Sequence, residues 1–105
     1  FFCFIRTSII ISLINSLQDM NEYVRGEAAI ALGKIGNKMA LMPLMRSLKD
    51  EYSSVRKNSA RALGNLGDKE ALVALRNALY EEESIITIRA IKEAIKKLER
   101  VRGEK

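Results

Sequence analysis

The chain has 105 residues, a length that suits one domain, and 48% hydrophobic residues, which is enough for a core. Its single cysteine, Cys3, excludes a disulfide within the chain and favours a reducing, cytoplasmic location. The net charge of +5, from 18 basic and 13 acidic residues, permits an acidic partner without requiring one.

The first predicted element is an apolar helix over residues 1–18. The run "FFCFIRTSIIISLINSL" is too short for a membrane span, and Arg6, Ser8 and Ser12 interrupt it. It also lacks the basic start and the small-residue cleavage site of a signal peptide. We therefore predict a buried helix and no membrane association. The missing initial methionine suggests a fragment or a processed product.

An internal repeat of 31 residues follows this helix. Residues 19–49 and 50–80 are identical at 13 of 31 aligned positions, and "VRGEAAIALGKIG" at 24–36 returns as "VRKNSARALGNLG" at 55–67. Self-similarity at a fixed period of this size is typical of helical repeat arrays. One unit cannot bury its apolar face alone, so the residues that join stacked units must recur.

Each repeat is predicted to contain two helices with apolar stripes at helical spacing. The stripe of the first helix contains Val24, Ala28, Ala31, Leu32 and Ile35. The stripe of the second helix contains Ala40, Leu41, Leu44 and Leu48, and the next unit repeats it as Ala71, Leu72, Leu75 and Leu79. Between the two helices, Gly36 and Gly67 predict left-handed stops, and Asn37 and Asp68 predict caps for the helix that follows.

Three residues inside the predicted helices are unusual there. Gly33 and Gly64 each cost about 1 kcal/mol relative to alanine, so their recurrence predicts a close approach between neighbouring helices. Pro43 lacks an N–H group and predicts a lost hydrogen bond and a local bend.

The last predicted helix runs from Ser84 to about Arg102. Its apolar stripe contains Ile85, Ile88, Ile91, Ile95 and Leu98, and its other faces are charged, which is typical of a terminal capping helix. The segment 89–105 holds seven basic and three acidic residues. We interpret Glu81–Glu83 as a solvated acidic turn rather than a metal site, because adjacent side chains point in different directions.

These elements predict a single all-α domain over residues 1–105. The predicted architecture is a right-handed α-solenoid of about five helices in stacked antiparallel pairs. It comprises a half unit at 1–18, units at 19–49 and 50–80, and a C-terminal capping helix at 81–102.

The motif "D-x4-VR-x2-A-A-x-ALG-x-IG" over Asp19–Gly36, with the leucine-rich segment that follows it, resembles the HEAT-like repeats first grouped with phycobilisome lyases. In such families the aspartate of the turn and the arginine of "VR" often form a ladder between units. By position, the resemblance implies a structural ladder that contains Asp19, Arg25, Asp50 and Arg56. It implies that the ladder stops in the final half unit, where Thr87 or Ile88 replaces the arginine.

The composition offers no catalytic constellation. The chain contains no histidine, which removes the commonest general base and metal ligand. Cys3 has no histidine to activate it, and the glycines do not form a phosphate-binding loop. We therefore predict that the protein is not an enzyme and that it has no metal site and no cofactor.

The second helices of the repeats are expected to line one face, and reading every 31st residue gives its exposed rows. Methionine, arginine and tyrosine are enriched in protein interfaces. The predicted partner-binding residues on this face are Met42, Met45, Arg46, Lys49, Val73, Arg76, Asn77 and Tyr80.

The favoured function is a scaffold that binds a protein partner through this face. One alternative is a nucleic-acid-binding module, because Arg46, Lys49 and Arg76 share the face. A second alternative, implied by the resemblance, is a subunit related to bilin lyases. Self-association through the N-terminal helix is a variant of the first hypothesis, because the run Ile9–Ile11 is expected to expose apolar surface.

Overall fold

The computed structural model describes residues 2–101, with side chains from Phe4 onward, so the Cys3 side chain and Arg102 lie outside the described residues. Within this range there are six α-helices, two 3-10 turns and no strands. The α-helices are α1 (Phe2–Ser16), α2 (Glu22–Ile35), α3 (Leu41–Ser47), α4 (Ser53–Leu66), α5 (Leu72–Glu81) and α6 (Ile85–Glu99). The all-α prediction is confirmed, with six helices where about five were expected.

The helices form a plate of 42 × 41 × 15 Å in two layers. The first helices of the repeats, α2, α4 and α6, pack side by side and make the most extensive contacts in the chain. In the second layer, α1 packs on α2, α3 on α4, and α5 on α6. This is a stack of helix pairs. Its handedness and the unit boundaries at residues 19, 50 and 81 stay predictions.

The predicted stops and caps between helices are confirmed. Gly36 and Gly67 adopt left-handed conformations with φ of 74° and 78°, which end α2 and α4. The side chains of Asn37 and Asp68 then accept backbone N–H groups two residues further on. The elements that they cap are short 3-10 turns, Lys38–Ala40 and Lys69–Ala71, which lead into α3 and α5.

Pro43 is the third residue of α3. The N–H groups of the first helical turn have no partner inside the helix, so the proline removes no hydrogen bond within α3, contrary to our expectation. A 3-10 turn also precedes α5, where Ala74 occupies the position equivalent to Pro43. The interrupted start of the second helix is therefore a property of the repeat and not of the proline.

The predicted close approach at the interior glycines is confirmed. A Cβ atom added at Gly33 would lie 2.7 Å from Ala62 Cα and 2.8 Å from Ala62 Cβ. The corresponding distances from Gly64 to Ala94 are 3.1 Å and 3.2 Å. Glycine is required at Gly33 because the obstructing atom belongs to the backbone of α4 and cannot rotate away.

Most stripe residues lie in the core or are half-buried, but the predictions for Val24 and Ile85 are wrong. Val24 is 38% exposed and Ala31 is half-buried, whereas the equivalent Val55 is fully buried. The reason is that Val24 and Ala31 face away from α4, on the side of α2 that no other first helix of the described chain covers. Ile85 is exposed because it lies on the corresponding outer side of α6.

The C-terminal helix is shorter than predicted. α6 begins after Ser84, whose hydroxyl accepts the N–H of Thr87, and it ends at Glu99. In the described range, no helix combines the length and the apolar composition that crossing a bilayer demands.

The alanine variants of the two interior glycines should differ in stability. G33A should lower the free energy of unfolding by about 1–3 kcal/mol, because the new methyl group overlaps the α4 backbone. G64A should be closer to neutral, because a shift of a few tenths of an ångström relieves its contact and alanine favours the helix by about 1 kcal/mol. Urea denaturation measures both. Equal stability of the two variants would contradict the proposed packing.

Ser59 offers a stabilising substitution. Its hydroxyl is fully buried and has no hydrogen-bond partner in the described structure, and the equivalent residue of the preceding repeat is Ala28. S59A should raise the free energy of unfolding by about 1 kcal/mol, because it removes an unsatisfied buried polar group. A thermal melt of the variant beside the wild type checks this, and a lower melting temperature would show that the hydroxyl has a partner.

Candidate partner-binding groove

Arg25 joins two consecutive repeats. Its Nε and Nη2 atoms donate to the two carboxylate oxygens of Asp50, at 2.7 Å and 3.1 Å. Its Nη1 atom donates to the backbone carbonyl of Asp19 at 2.7 Å. The guanidinium also lies 5.7 Å from the centre of the Tyr52 ring, at cation–π distance. One side chain therefore holds the turn that precedes its own helix and the carboxylate of the next repeat.

Arg56 makes the same set of bonds one repeat further on. Its Nε and Nη2 atoms donate to the two carboxylate oxygens of Glu82, at 2.8 Å and 2.9 Å, and its Nη1 atom donates to the carbonyl of Asp50 at 2.8 Å. The Glu82 side chain is only 3% exposed. The interpretation of all three glutamates as a solvated turn is therefore wrong for Glu82, although Glu81 and Glu83 are exposed.

The three acidic residues Asp19, Asp50 and Glu82 have a common local role. Each accepts the backbone N–H of the residue two positions later, at 2.8 Å, 2.9 Å and 3.1 Å. The Asp19 carboxylate contacts no arginine in the described part of the chain, whereas the other two each bind one bidentately. The sequence did contain a signal for Glu82. Glu82 lies five residues before the buried Thr87, just as Asp50 lies five residues before the buried Val55. The alignment at a strict 31 residues missed this signal because one residue is inserted.

The environment of Glu82 lowers the pKa of its carboxyl group below the ordinary value of 4.5. The main cause is the bidentate hydrogen bond from Arg56, and the N–H of Ser84 adds to it. Burial acts in the opposite direction, because it disfavours the charged form. The same hydrogen bond raises the pKa of Arg56, so both members of the pair stay charged at neutral pH.

A groove of about 1070 Å³ lies over this ion pair, between α3 and α5. Ala74, Ala78 and Met45 give it apolar walls. The exposed cations Arg46 and Lys49 stand on the α3 side. Tyr80, Glu81 and Glu83 stand at the C-terminal end of α5, and Asp50, Arg56 and Glu82 also line the groove.

The structure brings six of the eight predicted partner-binding residues to this groove. The six are Met42, Met45, Arg46, Lys49, Asn77 and Tyr80. Met45 is half-buried against the core, whereas Met42 is exposed and Tyr80 is 91% exposed. Val73 and Arg76 do not line the groove, and Arg76 forms an ion pair of 2.7 Å with Glu99 on α6. Ala74 and Ala78 were missed because alanine carries no distinctive binding signal.

Two other findings bear on the sequence hypotheses. The prediction of a buried N-terminal helix is wrong for α1: among its described side chains only Ile10 is fully buried, whereas Phe4, Ile5, Ile9 and Ile11 are exposed because no described helix packs on that side. Self-association through these side chains stays a prediction. Across the described range, no group of three or more cysteine, aspartate or glutamate side chains is placed to hold a metal ion.

The repeated helix pairs, the glycine contacts between first helices and the arginine ladder define a helical repeat protein of the solenoid class. Residues 10–96 match the family described as HEAT repeats, so the chain belongs to that family. HEAT repeats are generally protein-interaction scaffolds and are typically non-enzymatic. A search of curated proteins finds no match to the chain.

Removing the Glu82 carboxylate should destabilise the fold far more than removing an exposed one. E82Q should lower the free energy of unfolding by about 1.5–3 kcal/mol at neutral pH, the range for hydrogen bonds to charged groups. The matched control is E99Q, which breaks the Arg76–Glu99 pair. Both partners of that pair are 52% exposed, so the control should cost less than about 1 kcal/mol. Similar losses in the two variants would show that the Arg56–Glu82 pair contributes no more to stability than an exposed ion pair does.

The difference between wild type and E82Q should depend on pH. A lowered pKa in the folded state means that the Glu82 contribution is complete above its unfolded pKa and is lost as the pH falls through the folded value. The deficit of E82Q should therefore be constant above about pH 5 and should shrink below the ordinary value of 4.5. Denaturation curves collected between pH 7 and pH 3 measure this trend, and a deficit that grew in acid would contradict it.

Proposed function

We propose that this protein is a non-enzymatic interaction module that binds a segment of a partner protein in the groove between α3 and α5. The observation that carries the proposal is the combination of apolar walls, two exposed cations and an exposed tyrosine around one cleft. Tyrosine, arginine and methionine are the side chains that most often anchor protein interfaces.

The arginine ladder supports this proposal because it keeps the groove in one shape. α3 and α5 belong to successive repeats, and Arg56 with Glu82 lies beneath the cleft between them. A groove with fixed walls loses little conformational freedom when a partner binds, so more of the contact energy appears as affinity.

The charges of the groove describe the kind of segment that would fit. Arg46 and Lys49 favour a carboxylate on the α3 side, whereas Glu81 and Glu83 favour a basic side chain at the other end. The alanine and methionine walls favour an apolar side chain between the two charges. The proposed ligand is therefore a short segment with an acidic end, an apolar centre and a basic end.

Selection from a displayed library of random peptides tests the proposal without knowledge of the natural partner. Selected peptides should share the acidic, apolar and basic order, and R46A/K49A/Y80A should weaken their binding at least tenfold. The matched control is V73A/R76A, which changes neighbouring exposed residues of α5 that lie outside the groove.

Isothermal titration with one selected peptide separates the outcomes. Loss of binding in the groove variant alone supports the groove. Equal binding by wild type and both variants, or loss in the control variant alone, would place the binding surface elsewhere. Selection of no peptide above background would remove the support for a peptide-binding module.

A further inference from the structure

The face of each first helix that packs against the next repeat has small residues at two or more of three positions in α2 and α4. In α2 it contains Gly26, Ala29 and Gly33, which are all buried. An added Cβ on Gly26 would lie 3.1 Å from Asn58 of α4, and one on Gly33 would meet Ala62, so this face of α2 packs on α4. The equivalent residues of α4 are Lys57, Ala60 and Gly64, of which the last two are buried.

In α6 the equivalent positions, allowing for the one-residue insertion, are Arg89, Lys92 and Lys96. All three side chains are exposed. Arg100 is also exposed and follows Lys96 by four residues, which places it on the same side of the helix. We call these four residues the α6 cationic edge. Small side chains that allow helix packing have been replaced there by a row of charges.

The charges around this edge leave it strongly positive. Glu93 flanks the row on the side toward α4, and Glu99 is engaged by Arg76 on the other side. Lys97 extends toward α4, where it donates to Asn65 at 2.6 Å. Four cations therefore face one flanking carboxylate, since the other carboxylate of the helix is already paired.

We propose that the α6 cationic edge binds the phosphate backbone of duplex nucleic acid without sequence preference. At a rise of about 1.5 Å per residue, the row from Arg89 to Arg100 is about 16.5 Å long. A duplex carries one negative charge for about every 1.7 Å of its axis when both strands are counted, so a row of this length lies beside enough phosphates to pair with each of its four cations.

Other polyanions fit the edge less well. α6 carries no aromatic side chain on which the bases of a single strand could stack. The apolar face of α6 is buried in the core through Ile91 and Leu98, and the apolar side chains that it exposes, Ile85 and Ile86, lie together at its first turn. This is too little apolar surface for α6 to insert into lipid as an amphipathic helix would. A purely structural role is also a poorer explanation. A polar surface that only prevents another repeat from stacking can carry both signs of charge, so it needs no excess of cations.

The site is separate from the groove between α3 and α5, and its test does not depend on the proposed function. The probe is a fluorescently labelled 20-base-pair DNA duplex, and anisotropy gives its Kd at 50 mM and 200 mM salt. With four phosphate contacts, the Kd of the wild type should rise about 150-fold between the two salt concentrations. For R89Q/K92Q/K96Q, which keeps one cation of the row, the rise should be only about fourfold.

Two control variants remove the same number of charges from other surfaces. K34Q/K38Q/K69Q changes exposed lysines outside the edge, and R6Q/R46Q/K49Q changes exposed cations of the second-helix layer and leaves the Arg76–Glu99 pair intact. Both should keep a steep salt dependence. Circular dichroism should show that all variants are folded, because every substituted side chain is exposed.

Loss of binding in the edge variant alone supports the proposal. Equal loss in all three variants would reveal only an effect of net charge, and loss in the second-helix variant alone would place the contact on the other face. Absence of duplex binding at 50 mM salt would overturn the proposal. So would equal binding of poly-glutamate, or of vesicles that contain anionic phospholipid.

Discussion

The approach of the first helices at Gly33 and Gly64 is the constraint on which the rest of the structure depends. An added Cβ at Gly33 would lie 2.7 Å from the Cα atom and 2.8 Å from the Cβ atom of Ala62, so the backbone of α2 lies directly against Ala62 of α4. This short spacing allows Arg25 to reach across to Asp50 while it still holds the turn of its own repeat. With wider spacing, the same guanidinium could not bind both.

The ladder and the groove are parts of one arrangement. Asp50 accepts the N–H of Tyr52, receives the guanidinium of Arg25, and through its carbonyl binds Arg56. The turn at the junction of the two units is therefore held from both sides by charged hydrogen bonds, which are about twice as strong as neutral ones. The second helices α3 and α5 lead into these turns, so the ladder also fixes the spacing between them, and the cleft between them lies over the Arg56–Glu82 pair.

Much of this fold could be predicted because the chain repeats itself. The left-handed glycines, the caps at Asn37 and Asp68 and the packing role of Gly33 recur at one period, so each occurrence supports the reading of the other. The errors in predicted burial lie in the first two helices and in the last helix of the described stack. Val24 and Ile85 have the right periodicity for burial, but the helix that would cover them is not supplied by the described chain. Periodicity alone shows which residues share a face and does not show what packs against that face.

The α6 cationic edge has a consequence for how arrays of this kind change in length. A duplicated 31-residue segment inserted between the two units would bring a glycine–alanine face on each side and an arginine and an aspartate in the correct order. It could join the stack without any other substitution. The same segment placed against α6 would meet Arg89, Lys92 and Lys96 instead of small residues. Its first helix could not pack closely there. The described stack can therefore gain a repeat between its two units, whereas the exposed side of α6 does not offer the small residues that another repeat needs.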